Sequence, residues 1–206
     1  MNINNLPKNI SVFPLSDVVF FPKTVLPLNI FEKRYIQLVN DCMKDQRLFG
    51  MIQPKKAGEA QDVYEVGCLG KIINFNETSD GRFIINLAGI IRFRVIKELG
   101  SSKLYRKFSV DYSDFLQDLR IVKNNTKYNK KDFLKKIEIF FKKKNYLINI
   151  NELEKQNFEQ LVNTLCMISP ISVAEKQKLV ETTTSEEKMK LFENIINFNL
   201  ADNFKN

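Results

Sequence analysis

Histidine is absent from all 206 residues. That removes the commonest general base together with the commonest ligand of catalytic zinc and non-haem iron. Ser-His-Asp and Cys-His chemistry is thereby excluded. Cysteine is scarce: Cys42, Cys68 and Cys166 are odd in number and too widely spaced for a CxxC pair, so neither a disulfide framework nor a thiolate zinc site is indicated. They read as small buried apolar residues in a reducing compartment. No apolar run approaches the ~18 residues needed to cross a bilayer. The N-terminal MNINNLPKNISVF has no basic stretch followed by an apolar one, which argues against a signal peptide. The expectation is a soluble, cytoplasmic chain that makes no use of a membrane.

Motifs that carry chemistry are missing too. GxxxxGK[ST], GxGxxG, GxSxG and HExxH do not occur. Serine and lysine are plentiful, but no flanking pattern marks a Ser-Lys pair. The carboxylate pairs Asp41 with Asp45, Asp111 with Asp114, and Glu186-Glu187 are most simply read as polar residues of a helix face, a strand turn and a helix start. These readings leave no catalytic residue, no metal and no cofactor, and the chain is not expected to be an enzyme.

With 44% apolar residues, 17 of them Phe, the chain can bury a substantial core. The net charge of +8 has one location. Between Arg120 and Ile150 ten basic residues face two acidic ones, and the other 22 basic residues balance the other 22 acidic ones. In KKDFLKKIEIFFKKKNY, starting at Lys130, the residues Phe133, Leu134, Ile137, Phe140 and Phe141 make one helical stripe, with lysines on the other side. Lys131, Lys135, Lys142, Lys143 and Lys144 are a candidate basic patch. The segment 120–144 could serve an RNA or an acidic partner, or be a solvated face.

Residues 10 to about 116 read mostly as strands: ISVFPL, VLPLNIF, LFGMIQ, VGCLGKIINFNE, RFIINLAGIIRFRVIKEL and YRKFSVDY. Ser79-Asp80-Gly81 should close a hairpin. Gly89 suggests a bulge or bend leading into a separate strand, Ile90 to Val95. Pro14, Pro22 and Pro27 each lack an amide donor, which places their segments at sheet edges or crossovers and favours a small irregular barrel. Arg92 and Arg94 alternate with Phe93 and Val95 and read as a polar outer face.

One helix follows Glu32, with Tyr35, Ile36, Val39, Cys42 and Met43 on one side. After about residue 128 the period is helical. Three helices follow the lysine-rich one, at Asn157 to Ile168, Val173 to Glu181, and Glu186 to about Leu200. Ser172 with Glu175 and Thr183 with Glu186 read as capping boxes. The layout is α+β: a β-rich subdomain over 1–117, a polar linker over 118–129 and a helical subdomain over 130–206.

Several runs carry a family likeness. Val12 to Tyr35, VFPLSDVVFFPKTVLPLNIFEKRY, resembles the opening of the Lon substrate-binding domain. Val66-Gly67-Cys68-Leu69-Gly70-Lys71-Ile72 is similar to the family's VG-x-x-G-x-I strand. Asp80-Gly81-Arg82 and Leu87-x-Gly89-x-x-Arg92-Phe93 are similar to its DGR hairpin and GxxRFRV strand, and Ala174-Glu175-Lys176-Gln177 with Leu179-Val180-Glu181 to its AEKQ-x-LLE segment. Lys23 and Asn29 depart from the pattern.

The resemblance implies a PUA-like pseudobarrel followed by an α-helical bundle. Its implied role is recognition of unfolded or tagged polypeptides without catalysis. Hydrolysis in that family belongs to ATPase and Ser-Lys protease domains, whose motifs are missing here. The expected partners are client polypeptides, with a protease or another protein assembly as the body served. RNA binding through 120–144 is the alternative. Phe31, Glu32, Lys33 and Arg34, where Pro-interrupted strand meets helix, are the candidate peptide-binding residues.

Overall fold

The computed structural model describes residues 6–56, 59–120 and 129–201. They fall into two compact units, 1–120 and 121–206.

The first unit is built on a six-stranded sheet of order β2-β7-β6-β3-β1-β8, in which β7 also pairs with β8. The strands are β1 (Asn9–Pro14), β2 (Val25–Ile30), β3 (Leu48–Ile52), β6 (Val66–Glu77), β7 (Phe83–Leu99) and β8 (Arg106–Asp111). The extra pairing closes β7-β6-β3-β1-β8 into a ring, and β2 is left outside it. The two roles of β7 follow from its length. Its first residues, Phe83 to Ala88, pair with β2, and its last, Arg94 to Leu99, pair with β8. The core holds Val12, Phe49, Leu69, Leu87, Ile91 and Phe93, all buried. A short hairpin, β4 (Pro54–Lys56) and β5 (Glu59–Val63), was not legible, because its residues are polar.

The Asp-Gly turn is present. Thr78 N donates to Arg82 O at 2.9 Å, Gly81 N donates to Thr78 O, and Gly81 has φ +79°, a conformation that costs glycine nothing. Gly89 does mark a bulge, at Ile90, but β7 runs on as one strand; the separate strand Ile90 to Val95 is not formed. The glycine is required for a different reason. A Cβ there would lie 2.1 Å from Phe21 O, so the backbone of the 20–24 loop packs directly on β7, tied by Lys23 N to Gly89 O and Gly89 N to Thr24 O.

Pro27 sits on the edge strand as expected. Pro14 does not, since β1 is paired on both sides, with β3 and β8. It is tolerated because it ends the strand, beyond the four residues Asn9 to Val12 that pair with β8. Helix α1 (Lys33–Met43) buries Tyr35, Leu38, Val39 and Cys42, while Ile36 and Met43 are half-buried.

Asp118, assigned above to a polar linker, is buried. It lies in a 3-10 helix, Ser113–Leu119, and accepts from buried Arg92. Of the rest of the expected linker, Leu119 and Arg120 end that helix, Asn129 is the N-cap of the helix that starts at Lys130, and 121–128 lie outside the described residues. The polar outer face drawn for Arg92 and Arg94 is therefore covered at Arg92 by the 3-10 helix, and only Arg94, paired with Asp114 and Glu65, is exposed.

The second unit holds α2 (Lys130–Lys143), α3 (Ile150–Glu154), α4 (Phe158–Ile168), α5 (Val173–Glu181) and α6 (Ser185–Ala201). The stripe Phe133, Leu134, Ile137, Phe140 and Phe141 is buried. The one-turn α3 went unseen, being too short for a period. Ser172 and Glu175 form the expected capping box. The second box is shifted by one: Thr184 N donates to Glu187 Oε2 and Glu187 N to Thr184 Oγ1. Consecutive threonines and glutamates leave that register open in the sequence.

Candidate functional site

β2 is the edge of the sheet, and among the described residues it is hydrogen-bonded to β7 alone. In an antiparallel pair, backbone groups alternate between pointing at the neighbour and pointing away. Gly89 N donates to Thr24 O at 2.9 Å, so the even residues Thr24, Leu26, Leu28 and Ile30 turn their backbone groups toward β7. The odd residues Val25, Pro27 and Asn29 turn theirs to the open side. Pro27 falls where its missing N–H costs no ladder bond. The edge thus offers three carbonyls and the amides of Val25 and Asn29.

Side chains alternate across the other direction. Leu28 and Ile30 are buried, whereas Val25, Pro27 and Asn29 are exposed. On the same outer face β7 presents Ile84, opposite Asn29, and β6 exposes Ile73, the residue its bulge leaves unpaired. Val25 and Ile84 are each 47% exposed and Ile73 50%. The apolar run Phe83-Ile84-Ile85 carried this signal, because three consecutive apolar residues on a strand cannot all face inward.

The four candidate residues stand at the C-terminal end of this edge. Phe31 is 67% exposed and does not belong to the core. Glu32 is the N-cap residue of α1 but makes no side-chain cap. Its carboxylate instead accepts from Arg34 Nε at 2.9 Å, and the Arg34 guanidinium lies 4.5 Å over the Tyr35 ring. Tyr35 is anchored by donation to Pro14 O, and burial pushes its hydroxyl up to about 12. Lys33 is exposed, at the first turn of α1. The structure places the four at one end of β2, with Glu32 and Arg34 neutralising each other and Phe31 and Lys33 open.

A second feature is a polar cavity of about 220 Å³ lined by Ser11, Asp41, Cys42, Asp45, Tyr105 and Lys107 among others. Its Asp41 is held below the usual carboxylate range by the hydrogen bonds from Lys103 and Tyr105. Cys42 and Cys166 are both pushed up to about 12 by burial, which disfavours the nucleophilic thiolate. Among the described residues no group of three His, Cys, Asp or Glu could hold a metal ion, and no helix is long and apolar enough to cross a membrane.

The basic patch is divided. Lys131 and Lys135 are exposed on α2, and Lys142 pairs with Glu138 at 2.8 Å. Lys143 donates to Leu200 O at 2.6 Å, at the carbonyl end of α6, where a cation is favoured. Lys144 is the C-cap residue.

The family model described as ATP-dependent protease La (LON) substrate-binding domain matches residues 9–197. Lon protease 2 of Myxococcus xanthus is 30% identical over 115 residues, covering 54% of this chain and 14% of that protein. Lon protease of Syntrophus aciditrophicus is 24% identical over 217 residues, covering 96% of this chain and 26% of that protein. The chain thus spans about a quarter or less of these relatives. A crystal structure of a Lon N-terminal domain protein from Xanthomonas campestris superposes with TM-score 0.66 at 18% identity, covering 90% of this chain and 97% of that one. The N-terminal domain of Mycobacterium avium complex Lon protease gives 0.64 at 12%, covering 94% and 99%. These two likenesses bear on the fold.

Proposed function

This chain belongs to the ATP-dependent protease La (LON) substrate-binding domain family, and on that premise we propose that it holds extended segments of client polypeptides by adding them to the open edge of β2, without cleaving them. The observation that carries this reading is the outward row Val25, Pro27 and Asn29, set beside exposed Ile84 and Phe31. Main-chain pairing gives affinity without demanding one sequence, and flanking apolar side chains add a preference for the segments that folded proteins hide. Phe31 would contribute apolar contact at one end of the edge. Lys33 would bias toward acidic clients, while the Glu32–Arg34 pair would fix the helix start.

The matched region carries no ATPase or protease domain. In this reading the cytoplasm, where unfolded chains arise, is the setting, and a protease or other assembly would act on what is held.

The test is fluorescence anisotropy with an unfolded, carboxymethylated protein as probe. Asn29→Pro removes an outward amide that β7 does not use, and should weaken binding by about 1 kcal/mol, roughly fivefold in Kd. Phe31→Asp should weaken it by about tenfold, from lost apolar contact. If both variants bind the probe like the unaltered chain, the edge is not the site.

A further inference from the structure

We propose that the outward face of α2, with the turn that follows it, docks an acidic polypeptide segment bearing apolar side chains. This surface belongs to the helical unit, and the β2 edge to the sheet unit.

The inward stripe of α2 is fully used in its own core. Turning ~100° per residue, Lys131, Lys135, Glu138, Ile139 and Lys142 gather on the opposite side. Ile139 is exposed there, at 59%. The helix then ends in a fixed turn. Asn145 has φ +60°, Asn145 N donates to Lys142 O, and Tyr146 N donates to Phe141 O at 2.9 Å; the two bonds together make a Schellman motif. In that motif the residue after the left-handed position commonly folds back on the helix. Here Tyr146, the residue in that position, is still 55% exposed, and Leu147 is fully exposed. A hydrogen-bonded turn therefore carries two large, exposed side chains, and Leu147 lines an open pocket together with Glu138 of the outward helix face.

Charge complementarity names the occupant. Residues 130–144 carry seven lysines against Asp132 and Glu138. Lys130 bonds to Glu154 O and Gln156 O, Lys143 to Leu200 O, and Lys142 pairs with Glu138, which leaves the charges of Lys131, Lys135, Lys136 and Lys144 to be matched by a partner. A nucleic acid fits less well. Only Tyr146 offers a π face on which a base could stack, while Ile139 and Leu147 have none. A lipid surface asks for a continuous apolar face, and α2 buries the one it has. A partner segment with Glu or Asp alternating with Leu or Phe at helical spacing meets both the lysines and the apolar side chains.

The experiment uses the whole chain and a fluorescein-labelled amphipathic peptide of about 20 residues built from Glu and Leu at heptad spacing. The same peptide with Lys for Glu, an oligouridine and phosphatidylserine vesicles are the other probes. Salt-sensitive binding of the acidic peptide is expected. It should weaken about tenfold in the Lys131→Glu, Lys135→Glu double variant and severalfold in Leu147→Ser, with helical circular dichroism unchanged. Asn29→Pro should leave it intact, which separates this outcome from failure at the β2 edge. The proposal is overturned if the acidic peptide does not bind, if both variants bind it normally, or if the oligouridine or the vesicles bind more tightly through the same residues.

Discussion

Replacing Asp118 by Ala would remove one half of an ion pair that the barrel unit has taken out of water. Arg92 and Asp118 are 1% and 4% exposed. Asp118 Oδ2 accepts from Arg92 N at 3.1 Å and Nε at 2.9 Å, and Oδ1 accepts from the guanidinium at 2.8 Å. Arg92 also lies 4.5 Å over the buried ring of Phe115. Deleting one partner strands a buried charge, which costs about 3–5 kcal/mol. For a folding unit of this size that is a fall in Tm of roughly 10–20 °C. The exposed Arg94, with its two surface carboxylates, gives the contrast: Arg94→Ala should cost at most about 1 kcal/mol. Replacing both members of the buried pair, Arg92→Met with Asp118→Leu, should recover most of the loss, because the charge and its partner leave together. Thermal unfolding of the whole chain, followed by circular dichroism and calorimetry, reads all three. If Asp118→Ala melts within a degree or two of the unaltered chain, Asp118 is solvated as part of a linker, and the reasoning about the pair fails.

Gly89→Ala should destabilise by about 1–3 kcal/mol or more, because the new Cβ meets the Phe21 carbonyl; Gly100→Ala, with open space around it, should be neutral in the same denaturant titration. Strand parity gives another check by thermal melting: Leu28→Pro removes a bond to β7 and should cost about 1–3 kcal/mol, while Asn29→Pro should be nearly silent in stability. Without histidine, stability should be flat from about pH 5.5 to 8.5. On the acid side, Asp41 and Glu98 have folded values lowered by Lys103 and Tyr105 and by Arg106. Their contribution is present above the ordinary values and is lost as pH falls through the lower, folded ones. On the alkaline side, Cys42, Cys166 and Tyr35 are raised by burial to about 12, so their contribution is complete below about pH 9 and is lost on the way to 12. Stability that varies steeply near pH 7 would contradict this profile.

Local chemistry was readable where one residue decides the outcome. The Asp80-Gly81 turn, the Ser172–Glu175 box and the α2 stripe all depend on neighbours within a few positions, and each is where the pattern puts it. What depended on distant partners was not readable. That Arg92 faces a buried Asp118 rather than water is set by a helix about 25 residues on. That β7 is one strand with two roles depends on β2 and β8 pairing to different halves of it. The candidate edge was half legible: Pro27 pointed to an edge strand, but the exposed Ile84 beside it emerges only from the pairing register. Phe31 looks like core by residue type, and the structure has it in solvent.

The central claim is that a client chain pairs with the open side of β2. Amide hydrogen exchange across residues 24–30, measured by NMR with and without the unfolded carboxymethylated protein, tests it residue by residue. The account predicts that the amides of Val25 and Asn29 exchange freely alone and become protected on binding, while those of Leu26 and Leu28 are protected throughout. Binding that leaves Val25 and Asn29 exchanging as before, with protection arising elsewhere, would contradict it.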